Sequence, residues 1–257
     1  MGSRLRSLAV TLFGIVLLGL ALPAPATSGP LAARGSGAGW SIGRLVSVWP
    51  QPARSEIADH TFLFPDGRGG SLARWNPCQP IRYAVNTSDL PSFGLADLQA
   101  ALAQVTAATG IRFEYVGTTD FVPSGSPVDS YPAGVDAVVG WVSAAQFPLF
   151  ASPTEAGYGG AQWVPSTSGG GVITHGYALV SGAAITRGAV GAGFSSGVGE
   201  GHLLLHEVGH MMGLGHAANP ADVMYPTNTL SSATSYGPGD LAGLRQLSSG
   251  GCLQPVG

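Results

Sequence analysis

The sequence predicts an α+β domain organised around one twisted sheet. Three observations carry this. Runs of strand character recur between residues 81 and 180, one segment with helical spacing interrupts them, and two helical segments follow late in the chain. Glycine supplies 40 of the 257 residues, which calls for irregular loops and tight turns rather than a helical bundle.

The pattern sharpens at Trp75. Ile81 to Val85 alternates apolar and other residues and reads as a strand. Leu95, Leu98, Leu102 and Val105 recur at spacings of three and four, the mark of an amphipathic helix over Leu95 to Ala108, and Gly110 stops it. Further strands are predicted at Ile111 to Val116, Ala137 to Val142, Gly159 to Val164 and Val172 to Val180, the last two separated by a Ser-Gly turn at Ser168 to Gly171. Gly201 to Met212 is a helix by pattern and length. A last helix runs from about Asp240 to Leu247, with Asp240 near its start as a cap or dipole partner.

Ahead of this domain, residues 1–26 read as a signal peptide. Arg4 and Arg6 give a positive start, Leu8 to Leu22 form an apolar run, and Ala24-Pro25-Ala26 supplies the small residues of a cleavage site. An uncleaved membrane anchor is the alternative, but the run is short for a bilayer span and ends in a small-residue site. No later segment is long and apolar enough to span a bilayer. The mature protein is therefore expected to be secreted, without stable membrane association. Residues 27–73 read as an N-terminal extension or propeptide-like segment. They are Gly-Ser-Ala-rich around Gly35 to Gly39, apolar in part between Trp40 and Trp49, and without a repeat.

A net charge of −3 gives no electrostatic reason to expect nucleic acid as a partner. Charged residues make up 10% of the chain and none is lysine. The lysine-free, Gly- and Ala-rich composition points to a GC-rich bacterial source. Two cysteines, Cys78 and Cys252, are expected to form one disulfide in an oxidising compartment, tying the start of the domain to its end; two buried thiols are the alternative.

Residues 206 to 216 read His-Glu-Val-Gly-His-Met-Met-Gly-Leu-Gly-His. On a helix, His206 and His210 are one turn apart on one face and can reach a single ion. Glu207 is rotated by about 100° from His206, which places it beside the ion as a base acting on metal-bound water rather than as a ligand. Gly213 lets the chain leave the helix, so that His216 can swing back as a third ligand. Three protein nitrogens and an open position form the arrangement of catalytic zinc. His202 also shares the face of His206 and is the competing third ligand, but the turn at Gly213 favours His216. His202, His175 and His60 are expected to be packed or hydrogen-bonded.

This stretch resembles the metzincin zinc metallopeptidases, and within them the matrixins, whose long motif is His-Glu-x-x-His-x-x-Gly-x-x-His followed by a methionine-bearing turn. Met224, within Asp222-Val223-Met224-Tyr225-Pro226, is similar to that Met-turn. Tyr236 to Leu244 looks like the family's final helix and its approach, and Trp75 followed by Ile81-Arg82-Tyr83 like its entry strand. The resemblance spans roughly residues 75 to 250 and is sharpest at 206 to 226. It implies a metzincin-like catalytic domain over 74–257, with a mainly parallel mixed sheet, an active-site helix, a Met-turn and a C-terminal helix. Met224 would lie beneath the metal without ligating it, and Tyr225 would wall a substrate pocket with residues 226 to 236. The departures are specific. There is no Pro-Arg-Cys-Gly switch, since Cys78 sits in Asn-Pro-Cys-Gln-Pro; there is no second His/Asp cluster for a structural zinc; and Ala217 follows the third histidine where matrixins usually carry serine.

The activity so implied is that of a secreted zinc endopeptidase, with one catalytic Zn2+, a protein or peptide substrate and Glu207 as general base. The substrate chain would lie extended along an edge strand, for which Gly159 to Val164 is the best candidate. Calcium is compatible with an exported peptidase, but no acidic loop has the spacing of a calcium site. The sequence carries no signal for oligomeric state. The alternatives are a zinc hydrolase acting on cell-wall peptides and a non-catalytic zinc-binding recognition protein. Glu207 argues against the latter, because metal binding alone does not need that carboxylate.

Overall fold

The structure is a computed structural model that describes residues 13–17, 60–64, 72–126 and 129–253, all within one compact unit. Arg4, Arg6, the Ala24–Ala26 cleavage site and most of the 27–73 extension lie outside the described residues.

The chain forms a mixed, mainly parallel sheet with helices, an α+β architecture. Its strands are β1 (Phe13–Leu17), β2 (Ala73–Arg74), β3 (Ile81–Asn86), β4 (Phe113–Thr118), β5 (Ala137–Val142), β6 (Glu155–Pro165), β7 (Gly171–Ser181) and β8 (Thr227–Asn228). Spatial order is β4-β3-β5-β7-β6-β1-β8, with β2 pairing alongside β7. The β3–β4, β3–β5, β5–β7, β2–β7 and β1–β8 pairs are parallel, while β6 runs antiparallel to β7 and β1. β5 is buried at every position, as a central parallel strand with a covered face on each side must be. β6 contains the expected edge strand Gly159 to Val164 but does not lie at the sheet's edge: β7 pairs with it on one side, and a strand from within the apolar leader run pairs with it on the other, antiparallel, and continues in parallel along β8.

The helices are α1 (Gly94–Thr109), α2 (Gly182–Thr186), α3 (Glu200–Met212) and α4 (Pro238–Ser248). In α1 the predicted stripe is real for Leu98, Leu102 and Val105, which are buried, whereas Leu95 is exposed in the first turn. Gly110 ends α1 in the left-handed region at φ 73°, donating its N–H to Thr106 O. All 13 residues of α3 are buried, because α1, α4, β6 and β7 pack around it. Glycines on β6 permit that approach. A Cβ at Gly159 would stand 2.3 Å from the Glu207 carbonyl oxygen, and one at Gly157 would stand 2.4 Å from Glu207 Oε1.

Cys78 and Cys252 form a disulfide that joins residues 174 positions apart, with Cα atoms 5.4 Å apart. Asn76 Oδ1 accepts from both Cys78 N and Leu253 N, and Arg74 donates to Gly251 O, so the two ends are pinned by more than the sulfurs. Closing so long a loop constrains the unfolded chain most. The Cys78→Ser/Cys252→Ser double variant is expected to lose about 2–5 kcal/mol, seen as a fall in melting temperature of ~5–15 °C. An unchanged melting curve would show that the hydrogen bonds alone fix the two ends.

Candidate metal centre

Helix α3 presents His206 and His210 one turn apart, and Gly213 then turns the chain out of the helix at φ 110°. That turn is closed by Gly213 N donating to His210 O at 2.9 Å and Leu214 N donating to Gly209 O at 3.0 Å. It delivers His216 back toward the helix. One ring nitrogen from each of the three histidines lies within 4.8 Å of the others, a set able to hold one metal ion.

Hydrogen bonds fix the imidazoles. His206 Nδ1 meets Val223 O at 2.7 Å, and His210 Nδ1 meets Leu214 O at 2.8 Å. A carbonyl can only accept, so Nδ1 carries the proton in both rings and each Nε2 keeps its lone pair. His206 Nε2 is buried without a hydrogen-bonding partner. Burial, then the neighbouring imidazoles, hold His206 well below the ordinary histidine range and His210 at about 3; burial alone takes His216 to about 4. Three neutral, lone-pair-bearing nitrogens converging on one point are what a divalent ion such as zinc requires.

Glu207 is fully buried, and neither carboxylate oxygen has a hydrogen-bonding partner among the described residues. Burial pushes its carboxyl well above the ordinary range, reinforced by Glu155. A cation beside it reverses that pressure and favours the carboxylate.

Met224 is buried against α3, where a Cβ added at Gly209 would stand 2.4 Å from its Sδ. Its carbonyl accepts from Ala217 N, tying the methionine turn to the residue after His216. Tyr225 follows, half-buried, at the head of the 226–236 segment. Tyr236 closes that segment by donating from its hydroxyl to Leu205 O at 2.7 Å.

Asp240, expected as a helix cap, does more than that. Its buried carboxylate accepts from Gly237 N at 2.9 Å, Val223 N at 2.6 Å and Met224 N at 3.2 Å. One residue on α4 thus caps its own helix and pins the methionine turn. In return, Asp222 Oδ1 accepts from Gly239 N. Another support comes from far upstream. Phe62 pairs with Leu214, Leu63 N donates to Gly213 O, Gly215 N donates to Thr61 O, and Thr61 Oγ1 donates to His216 O at 2.7 Å. Residues 60–64 therefore brace the loop that carries His216. No local period marks either contact in the sequence.

The remaining histidines lie outside the triad. His175 stacks on Tyr131 with ring centroids 4.5 Å apart, His60 pairs with Gln246, and His202 is hydrogen-bonded through both ring nitrogens.

Glu200 opens α3, fully buried, with Oε1 accepting from Trp141 Nε1. Burial, with the Asp97 charge added, pushes its carboxyl from 4.5 up to about 7 against the pull of the Trp141 bond. A raised carboxyl favours the protonated folded state. Its stabilisation is full below pH 4.5 and is lost as pH rises to about 7. Glu200→Gln carries no such loss, so its melting temperature relative to wild type is expected to rise by ~2–5 °C between pH 5 and pH 8. A difference that stays flat across that range would refute the assignment.

Residues 144–248 match the family model described as matrixin, peptidase M10. No curated protein matches the chain.

Proposed function

We propose that this chain, whose residues 144–248 match the matrixin model, is a zinc-dependent peptidase and specifically a secreted endopeptidase, with His206, His210 and His216 as zinc ligands and Glu207 as general base. The observation that carries the reading is the convergence of three neutral imidazole nitrogens within 4.8 Å, two of them on the helix that also buries Glu207. The apolar leader run and the Cys78–Cys252 disulfide support export to an oxidising compartment.

The three histidines would hold the ion through Nε2, each Nδ1–H of His206 and His210 being committed to a carbonyl. Zinc, when bound, supplies Lewis acidity toward the scissile carbonyl and brings water's acidity close to neutrality. Glu207 takes the proton of the attacking water and returns it to the departing amine. Its burial excludes competing hydrogen bonds from solvent. Once the leader that carries β1 is removed, the substrate backbone takes β1's place and pairs antiparallel with β6, whose Gly157 and Gly159 let that strand lie directly on Glu207 and His210. Met224 underlies the histidines, and Tyr225 opens the pocket wall that 226–236 continues.

Zinc measurement and casein cleavage test this together. About one zinc per chain is expected by elemental analysis. A chelator is expected to abolish cleavage, and added zinc to restore it. Cleavage that persists in the chelator-treated, zinc-free protein would reject the assignment.

A further inference from the structure

His202 lies one turn before His206 and is buried in the first turn of α3. Its Nδ1 meets Ala233 O, and its Nε2 meets the side-chain amide of Asn228 at 2.6 Å. Both partners belong to the segment between the methionine turn and α4. One side chain of the active-site helix therefore grips that segment at two points, five residues apart. Gly197 N adds a contact to Leu230 O at 3.4 Å from the loop before α3.

The position of Asn228 matters because Thr227–Asn228 is β8. The space between β6 and β8 is one strand wide: β1 fills it, antiparallel to β6 and parallel to β8. Gly14 lies opposite Tyr158 and Val16 opposite Glu155, so β1 passes beside Gly157, the residue that touches Glu207. Only after that crossing do Val16 and Leu17 reach Thr227 and Asn228. An extended chain in this cleft meets β6 first, and meets β8 only with the residues that follow the point level with Glu207.

We propose that His202 is a positioning residue for substrate, holding β8 at one strand's distance from β6 so that it pairs with the peptide residues C-terminal to the scissile bond. This rests on the endopeptidase reading above. His202 touches neither the ion site nor the peptide; it acts through Asn228 and Ala233. Without it, β8 is tied to α3 chiefly at the ends of its segment, through Val223 O and Tyr236. The substrate class that depends on it is a peptide extending at least two residues past the cleaved bond.

The test compares wild type, H202L and N228A, each expressed from the full-length coding sequence. Two substrates are used: one with four residues after the scissile bond and one with a single residue there. Both variants are expected to keep about one zinc per chain. For H202L, KM on the long substrate rises ~10-fold while kcat stays within ~3-fold, and KM on the short one is unchanged. N228A, which removes one of the two contacts and leaves the helix intact, shifts KM on the long substrate ~3-fold. Hydrogen exchange of amides 227–233 accelerates in both variants, while α3 remains protected. Equal KM changes on the two substrates, or unaltered protection at 227–233, overturn the proposal. If wild type cleaves neither substrate, the endopeptidase reading fails on its own, and the exchange measurement still decides whether His202 holds β8.

Discussion

Glu207→Gln is expected to keep its zinc and to lose ~10²- to 10⁴-fold in turnover. The substitution preserves size and polarity in a fully buried position, and neither carboxylate oxygen has a protein partner to lose. The histidines keep their own supports, Val223 O and Leu214 O, which Glu207 does not touch. What disappears is the proton acceptor. The folded protein also no longer carries a carboxyl that burial pushes upward, so stability should hold or rise. The decisive pair of measurements is zinc per chain and kcat on one peptide. Wild-type turnover in a zinc-loaded Glu207→Gln protein would remove Glu207 from the chemistry, and loss of zinc would recast it as part of the metal's support.

Asp240→Ala is the substitution from which the largest structural loss is expected. It strands the N–H groups of Val223, Met224 and Gly237, which a single buried carboxylate now satisfies. Buried donors left unpaired cost about 1–3 kcal/mol each, so a total near ~4 kcal/mol follows, if the turn relaxes partway to find other partners. The damage does not stop at stability. Val223 donates to Asp240 through its N–H and accepts from His206 through its carbonyl. A displaced turn therefore releases the orientation of one imidazole. Losses of this kind typically weaken metal affinity ~10- to 100-fold. Melting temperature and a competitive zinc titration read the two effects separately. A variant that melts early yet binds zinc as tightly as wild type would show that the methionine turn does not hold His206.

Much of this was legible in the sequence because the strongest signals are local. Leu98, Leu102 and Val105 predict α1 through their spacing, and the helix extends one residue past each expected end. The strand at Ala137–Val142 falls where its continuous apolar run places it, and the helix bearing His206 and His210 begins one residue earlier than its pattern suggests. β6 is longer than the predicted Gly159 to Val164, because Gly157 and Tyr158 also pair with β7 and Glu155 with β1, although glycine and polar residues mask their strand character. The short elements escaped notice. α2 has five residues and β2 and β8 two each, lengths at which no period can be read. The supports of the site escaped for another reason: Asp240 acts on a backbone 17 residues away, and Thr61 on one 155 residues away. Spacing reports what a helix or strand does to its own side chains. It is silent on contacts made only when the chain returns to itself.

The brace formed by residues 60–64 sets a boundary on processing. Thr61, Phe62 and Leu63 together engage Gly213, Leu214, Gly215 and His216. Trimming from the N-terminal end is expected to be tolerated only up to this point. A cut beyond it would free the arm that carries the third imidazole while leaving the two helical ones in place. A chain trimmed past His60 is thus expected to bind zinc more weakly, because the stretch that reads in sequence as an extension or propeptide-like segment supplies Thr61 and Leu63 to the loop that carries His216.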